Sequence, residues 1–187
     1  MAARKGANAV EPIRDLKKIR EVKNYLRQRS HRDYFLFTFG INSGLRISDI
    51  LPLRVKDVRG VKYLRIKEKK TGNIRRVIIT KALKEEIDIY TANMAESDYL
   101  FPSKRGNKPI SRMQAWHIIN SAAQACGIDG PIGTHTLRKT FGYHFYQQTK
   151  DVAMLQEIFG HSSPSITLRY IGINGEMIDR ALENFSL

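Results

Sequence analysis

At 187 residues and 42% hydrophobic content, the chain is long enough for one well-buried core and short for two. A formal charge of +14 with a pI near 10.0 favours a polyanionic partner over a small neutral substrate, nucleic acid first and an anionic membrane surface second. The lone cysteine, Cys126, excludes an internal disulfide and a multi-cysteine zinc site, and no run approaches the ~18 apolar residues of a membrane span, so a cytoplasmic protein without membrane contact is expected.

In chain order, residues 1–11 are small and basic without periodicity and read as a flexible lead, and residues 12–187 as one domain. From Pro12, suited to a first-turn position, Ile13, Leu16, Ile19, Val22 and Leu26 recur at helical spacing and predict a first amphipathic helix. Asp33 to Ile41 is aromatic on most sides, as a buried helix would be, and stops at Asn42-Ser43-Gly44. Leu45 to Leu51 reads as a short helix before Pro52.

Between Val55 and Thr80 the period changes from 3.6 to 2. Strands are predicted at 61–66 and 74–79, joined by a hairpin turn at Lys69-Lys70-Thr71-Gly72-Asn73, where Gly72 and Asn73 tolerate positive φ. Val61, Tyr63, Leu64 and Ile66 interleave with Lys62, Arg65 and Lys67, which predicts a half-buried sheet with one cationic face. Arg54 to Arg76 holds ten Lys or Arg against two acids, a surface suited to a phosphate backbone. Helices are then predicted at 82–93, 111–126, 136–148, 152–159, 165–170 and 174–185. The fold class is mainly α with a small antiparallel β-sheet.

Cutting a phosphodiester without a metal requires a nucleophile, cations against the charge growing on the non-bridging oxygens, and an acid for the departing oxygen. Tyr170 stands nine residues after His161, as a candidate nucleophile. Arg46, in Ser43-Gly44-Leu45-Arg46-Ile47-Ser48-Asp49, lies among apolar neighbours three residues before a carboxylate, Asp49, that can orient it. His135 and Arg138 are i and i+3, so on a helix they share a face, and His161 adds a third donor. Two guanidiniums can brace a phosphate because each presents a planar fork of donors that stays charged. Arg75 and Arg76 are candidate phosphate contacts on the strand. The histidines show no His-Glu-x-x-His pattern, so no metal site is expected, and His117 and His144 read as packing or surface residues.

Arg46 in Ser-Gly-Leu-Arg-Ile-Ser-Asp, Lys70 in Lys-Thr-Gly, His135 and Arg138 in His-x-Leu-Arg, His161 in Phe-Gly-His-Ser-Ser, and Tyr170, in that order, resemble the catalytic domain of the tyrosine recombinase, or phage integrase, family. The resemblance runs from about Pro12 to the C-terminus. It implies that Tyr170 attacks a DNA phosphate to form a 3′-phosphotyrosine, and that the freed 5′-hydroxyl later attacks a partner strand, so rejoining needs no cofactor. It implies His135 as the base and Lys70 as the acid on a hairpin turn, with Lys69 and Lys67 as alternatives. His161 would bond the phosphate and Asp49 would position Arg46, while Lys69, Arg75 and Arg76 would touch DNA. The helix at 174–187 would link protomers on double-stranded DNA, or else pack on its own core. The separate DNA-clamping domain that most members carry ahead of the catalytic one is missing from these residues. A type IB topoisomerase shares the same chemistry, and a non-catalytic DNA-binding protein of this fold is a third possibility.

Overall fold

The computed structural model describes residues 10–67, 72, 74–173, 183, 185 and 186. Ahead of the first helix the chain is stitched to the body: the Glu11 N–H donates to Pro131 O at 2.9 Å and the Ile13 N–H to Thr140 Oγ1 at 2.9 Å. Helix α1 spans Leu16–Arg29, so it begins after Pro12, which lies in the extended lead-in rather than the first turn. The cause is Asp15, whose carboxylate accepts the Lys17 N–H at 2.6 Å and caps the helix there. Ile19, Val22 and Leu26 are buried as expected, while Leu16 stays 57% exposed.

Helix α2, His31–Ser43, is capped by Ser30 and buries Tyr34 to Gly40 without interruption. Its all-round apolar sequence makes it the central helix of the main core. Gly44, left-handed at φ 63°, ends it. The short α3, Ile47–Ile50, follows at once. Val55–Val58 forms a one-turn helix, α4, ahead of the first predicted strand. Asp57 closes that turn, because its carboxylate accepts the Arg54 N–H at 2.8 Å while Val55 and Val58 are buried.

Strands β1, Tyr63–Lys67, and β2, Ile74–Ile78, pair antiparallel with Arg65 opposite Arg76. Leu64 and Ile66 point into the core, and Arg65 and Lys67 are exposed, which is the predicted cationic face. The turn between the strands falls largely on residues outside those described.

Helices α5 (Lys81–Thr91), α6 (Arg112–Ala125), α7 (Thr134–Thr149), α8 (Val152–Phe159) and α9 (Pro164–Tyr170) lie within about two residues of expectation. The helix expected at 174–185 lies outside the described residues apart from isolated positions. Helix α7 is placed between two cores. Leu137 belongs to the main one, and Phe141 and Phe145 cover a smaller cluster of Leu155, Phe159 and Ile171 contributed by α8 and the end of α9. This arrangement holds both the first turns of α7 and the last turn of α9 over one place.

Candidate active site

The site begins at the turn between α2 and α3. A Cβ on Gly44 would fall 2.6 Å from Phe141 Cδ1, and its φ is left-handed, so only glycine fits both the turn and the packing. Its carbonyl accepts a hydrogen bond from Arg138 Nη1. Two residues on, Arg46 occupies the N-cap position of α3, half-buried, and the Asp49 N–H bonds its carbonyl at 2.9 Å. One helical turn thus carries both the guanidinium and the carboxylate expected to orient it.

At the start of α7 the Gly133 N–H donates to Thr136 Oγ1 at 3.1 Å, fixing the first turn. His135 stands in that turn, and Arg138 follows one turn later, only 2% exposed. Burying a guanidinium costs several kcal/mol unless its donors are satisfied. Here Nη2 donates to Phe159 O at 3.0 Å, Nη1 to Gly44 O, and the guanidinium lies 4.1 Å over the Phe159 ring. Arg138 is therefore clamped between α2 and α8 and cannot sample other rotamers cheaply.

His161 follows Gly160, the left-handed cap of α8. Its Nδ1 is 3.1 Å from Thr167 Oγ1, and that hydroxyl donates onward to Ser163 O at 3.2 Å. The hydroxyl is thus the acceptor, which places a proton on Nδ1 and fixes the ring's orientation.

Tyr170 ends α9, with its hydroxyl 3.5 Å from His135 Nδ1 and hydrogen-bonded by Arg138. Its ring meets His161 edge-on at 5.1 Å and Phe159 at 5.5 Å. Burial raises the phenol above its ordinary pKa of 10.0, against the pull of Arg138 and Arg46. The resting site thus keeps a protonated phenol, and a base is required to use it.

His135 can supply that base. Partial withdrawal from water, then the charges of Arg112, Arg138, Lys139 and Arg46, hold its pKa below 6.5. The imidazole is consequently neutral at neutral pH, the form that accepts a proton. The pH dependence follows in sign: proton acceptance should be constant above pH 6.5 and fall only as pH drops through the depressed value. We expect the single-turnover rate of attack by Tyr170 to stay flat from pH 8 to 6.5 and decline below. A decline already centred above pH 7 would show His135 to be charged in the resting site.

Five of the residues expected from sequence therefore converge: Arg46, His135, Arg138, His161 and Tyr170. Lys69 and Lys70 fall outside the described residues, and Arg75 lies in β2 opposite Ile66 with its side chain likewise undescribed. Arg76 is exposed on the sheet, its guanidinium 4.3 Å over the Tyr63 ring. Two cations were not anticipated. Lys139 Nζ lies 5.2 Å over the Tyr170 ring, and Arg112 acts electrostatically on His135 from the first turn of α6. Arg112 carried a signal, because a cation in a helix's first turn opposes the macrodipole and gains most if an anion arrives there.

Residues 13–176 match the model of the phage integrase family. The probable integrase/recombinase YoeC of Bacillus subtilis is 60% identical over 176 residues, covering 94% of this chain and 97% of that protein. A tyrosine recombinase of Pseudothermotoga lettingae is 30% identical over 183 residues, covering 90% of this chain and 63% of its own length. Among solved structures, the XerH site-specific recombinase bound to palindromic difH substrate in a post-cleavage complex superposes with a TM-score of 0.75 at 18% identity, covering 98% of this chain and 55% of that one. That last likeness is one of fold, a tyrosine recombinase catalytic domain. With the family model spanning most of its length and a close relative matching nearly end to end, the chain belongs to the phage integrase family.

Proposed function

We propose that the protein is a site-specific DNA recombinase that cuts and rejoins strands through a 3′-phosphotyrosine at Tyr170. The observation that carries this reading is the convergence of a half-buried phenol, a neutral imidazole and two guanidiniums from three separate elements of the fold, α3, α7 and α9. The Tyr170 oxygen bonds to phosphorus as its proton passes to His135, and the bond from phosphorus to the 5′-oxygen breaks. Arg46, Arg138 and His161 face the charge that develops on the non-bridging oxygens. A hairpin lysine, Lys70 or its neighbours Lys69 and Lys67, gives a proton to the leaving 5′-oxygen, and Asp49 positions Arg46. The phosphotyrosine conserves the energy of the broken bond, so the reverse attack by a 5′-hydroxyl restores DNA without a cofactor.

Double-stranded DNA as substrate is supported by the cationic sheet face. Arg65 and Arg76 stand directly opposite each other there, a like-charge pair that is unfavourable alone and relieved by an anion lying across it. Arg75 and Lys69 are proposed as further DNA contacts of the hairpin, and such work belongs in the cytoplasm. Among the described residues no helix is long and apolar enough to cross a membrane. Assembly with other protomers through residues 174–187 completes the proposal. A groove of about 600 Å³ lined by the exposed Ile74 and Ile78 together with Phe141, Phe145 and Ile158 offers apolar surface to a helix of that kind.

The test is covalent capture. Random duplexes carrying a nick that lets the cleaved end diffuse away are incubated with the protein, and the adduct is digested and mapped by mass. A nucleotide on the peptide that begins at Tyr170 is the expected result, and no adduct from any duplex would sink the enzymatic reading. Relaxation of a supercoiled plasmid that lacks the captured sequence would favour topoisomerase chemistry instead. Repeating the capture without residues 174–187 should leave cleavage of isolated half-sites intact and abolish paired complexes.

A further inference from the structure

The lead-in ahead of α1 is bound to more than one element of the site. Arg14 Nη2 reaches Gly172 O at 3.4 Å, in the turn that follows Tyr170, and also pairs with Glu11 Oε2 at 2.7 Å. Its guanidinium lies 5.6 Å from the centroid of the Tyr143 ring on α7. Along the same stretch the Ile13 N–H donates to Thr140 on α7, and Ile13 O is 3.0 Å from His144 Nε2. Residues 11–14 are thus a strap tied to α7 on one side and to the end of α9 on the other.

The strap also bears on the phenol ring through Lys139. That ammonium lies over the Tyr170 ring and feels Glu11 and Arg14 as its two charged neighbours, the first attractive and the second repulsive. Gly172 is the link that makes the contact possible. Its φ is +81°, and a Cβ there would come within 2.6 Å of Arg14 Nη2. The backbone carbonyl that Arg14 grips is two residues from the nucleophile, on a turn whose conformation ordinary residues rarely adopt.

We propose that Arg14 is a positioning residue for the reaction, the working contact of a strap that holds the last turn of α9 so that the Tyr170 oxygen stays within reach of His135 and Arg138. Arg14 touches no reacting atom. It acts by restricting a helix of seven residues, Pro164–Tyr170, that is too short to be rigid alone. The proposal rests on the recombinase reading for its kinetic consequence and on geometry alone for its mechanical one. A displacement of the hydroxyl by about 1 Å is enough to slow an in-line attack many-fold.

The experiment has two arms, each run on the full chain with Arg14→Ala, Arg14→Lys and Glu11→Ala. In the first, hydrogen exchange is followed without DNA. Peptides covering residues 164–173 should exchange about tenfold faster in Arg14→Ala, while α1 and α6 keep their protection. Arg14→Lys should recover part of the protection and Glu11→Ala should lose part of it. In the second, adduct formation is timed at saturating concentrations of the nicked duplex recovered by covalent capture. Arg14→Ala should be about tenfold slower with unchanged DNA affinity. Unchanged exchange over 164–173 overturns the proposal, as does weaker DNA binding with an unchanged saturated rate, which would make Arg14 a phosphate contact. If the unaltered protein forms no adduct, the recombinase reading fails and the exchange arm alone decides the strap.

Discussion

Arg138→Met is expected to slow formation of the covalent DNA adduct by about 10³-fold or more while leaving the protein folded. The kinetic loss follows from how the guanidinium is held. Phe159 O and Gly44 O anchor it, and a further hydrogen bond reaches the Tyr170 hydroxyl. A planar fork can serve two carbonyls on α8 and α2 and still present donors toward the reacting group, whereas the point charge of a lysine cannot meet all of these at once. Arg138→Lys should therefore fail nearly as badly as Arg138→Met. Stability moves differently, because removing a buried cation also removes its desolvation cost, and Met fills a similar volume. Two carbonyls lose a donor in exchange, so the net change should stay within about 2 kcal/mol by urea unfolding. A variant that cleaves within threefold of the parent would show that Arg138 is a structural clamp and that Arg46 alone braces the phosphate.

That clamp also shows where sequence reasoning reached and where it stopped. His135 and Arg138 were legible because i,i+3 spacing guarantees a shared face wherever the helix lies, and the all-apolar run from Tyr34 to Phe39 announced a buried helix by itself. The site's walls were not legible. That Arg138 would be gripped by Gly44 O and Phe159 O depends on α2, α7 and α8 meeting, and no local pattern encodes a contact between carbonyls so far apart in the chain. Lys139 was hidden for a related reason: as the neighbour of Arg138 it points elsewhere on the helix, and only the return of α9 brings the phenol ring beneath it. The α1 start was misjudged because a proline at a first-turn position competes with an aspartate three residues later, and the side-chain cap won. A short polar side chain that bonds the backbone locally can thus override periodicity.

Tyr170→Phe is the substitution with the largest expected effect: adduct formation should disappear entirely, with no residual rate to fit. Every contact of the ring survives the change. Phenylalanine still meets Phe159 and His161 edge-on and still lies under Lys139, so the end of α9 has no reason to move. The sole loss is the hydroxyl, with its hydrogen bond from Arg138 and its approach to His135. Losing one such bond from a half-buried phenol costs about 1 kcal/mol, a shift that urea unfolding can register without loss of fold. DNA affinity should be unchanged within twofold, because the substitution removes no cation. The distinction between binding and chemistry then becomes sharp. A Tyr170→Phe protein that binds the captured duplex normally yet forms no adduct identifies the phenol as the nucleophile. Residual adduct would instead point to another side chain, with Tyr63, Tyr143 and Tyr146 the first to be mapped. The pH profile supplies the complementary check, since a phenol kept protonated by burial should react only through a neutral His135. Arg138→Met should lose its rate across the whole range from pH 6.5 to 8, and not at one end of it.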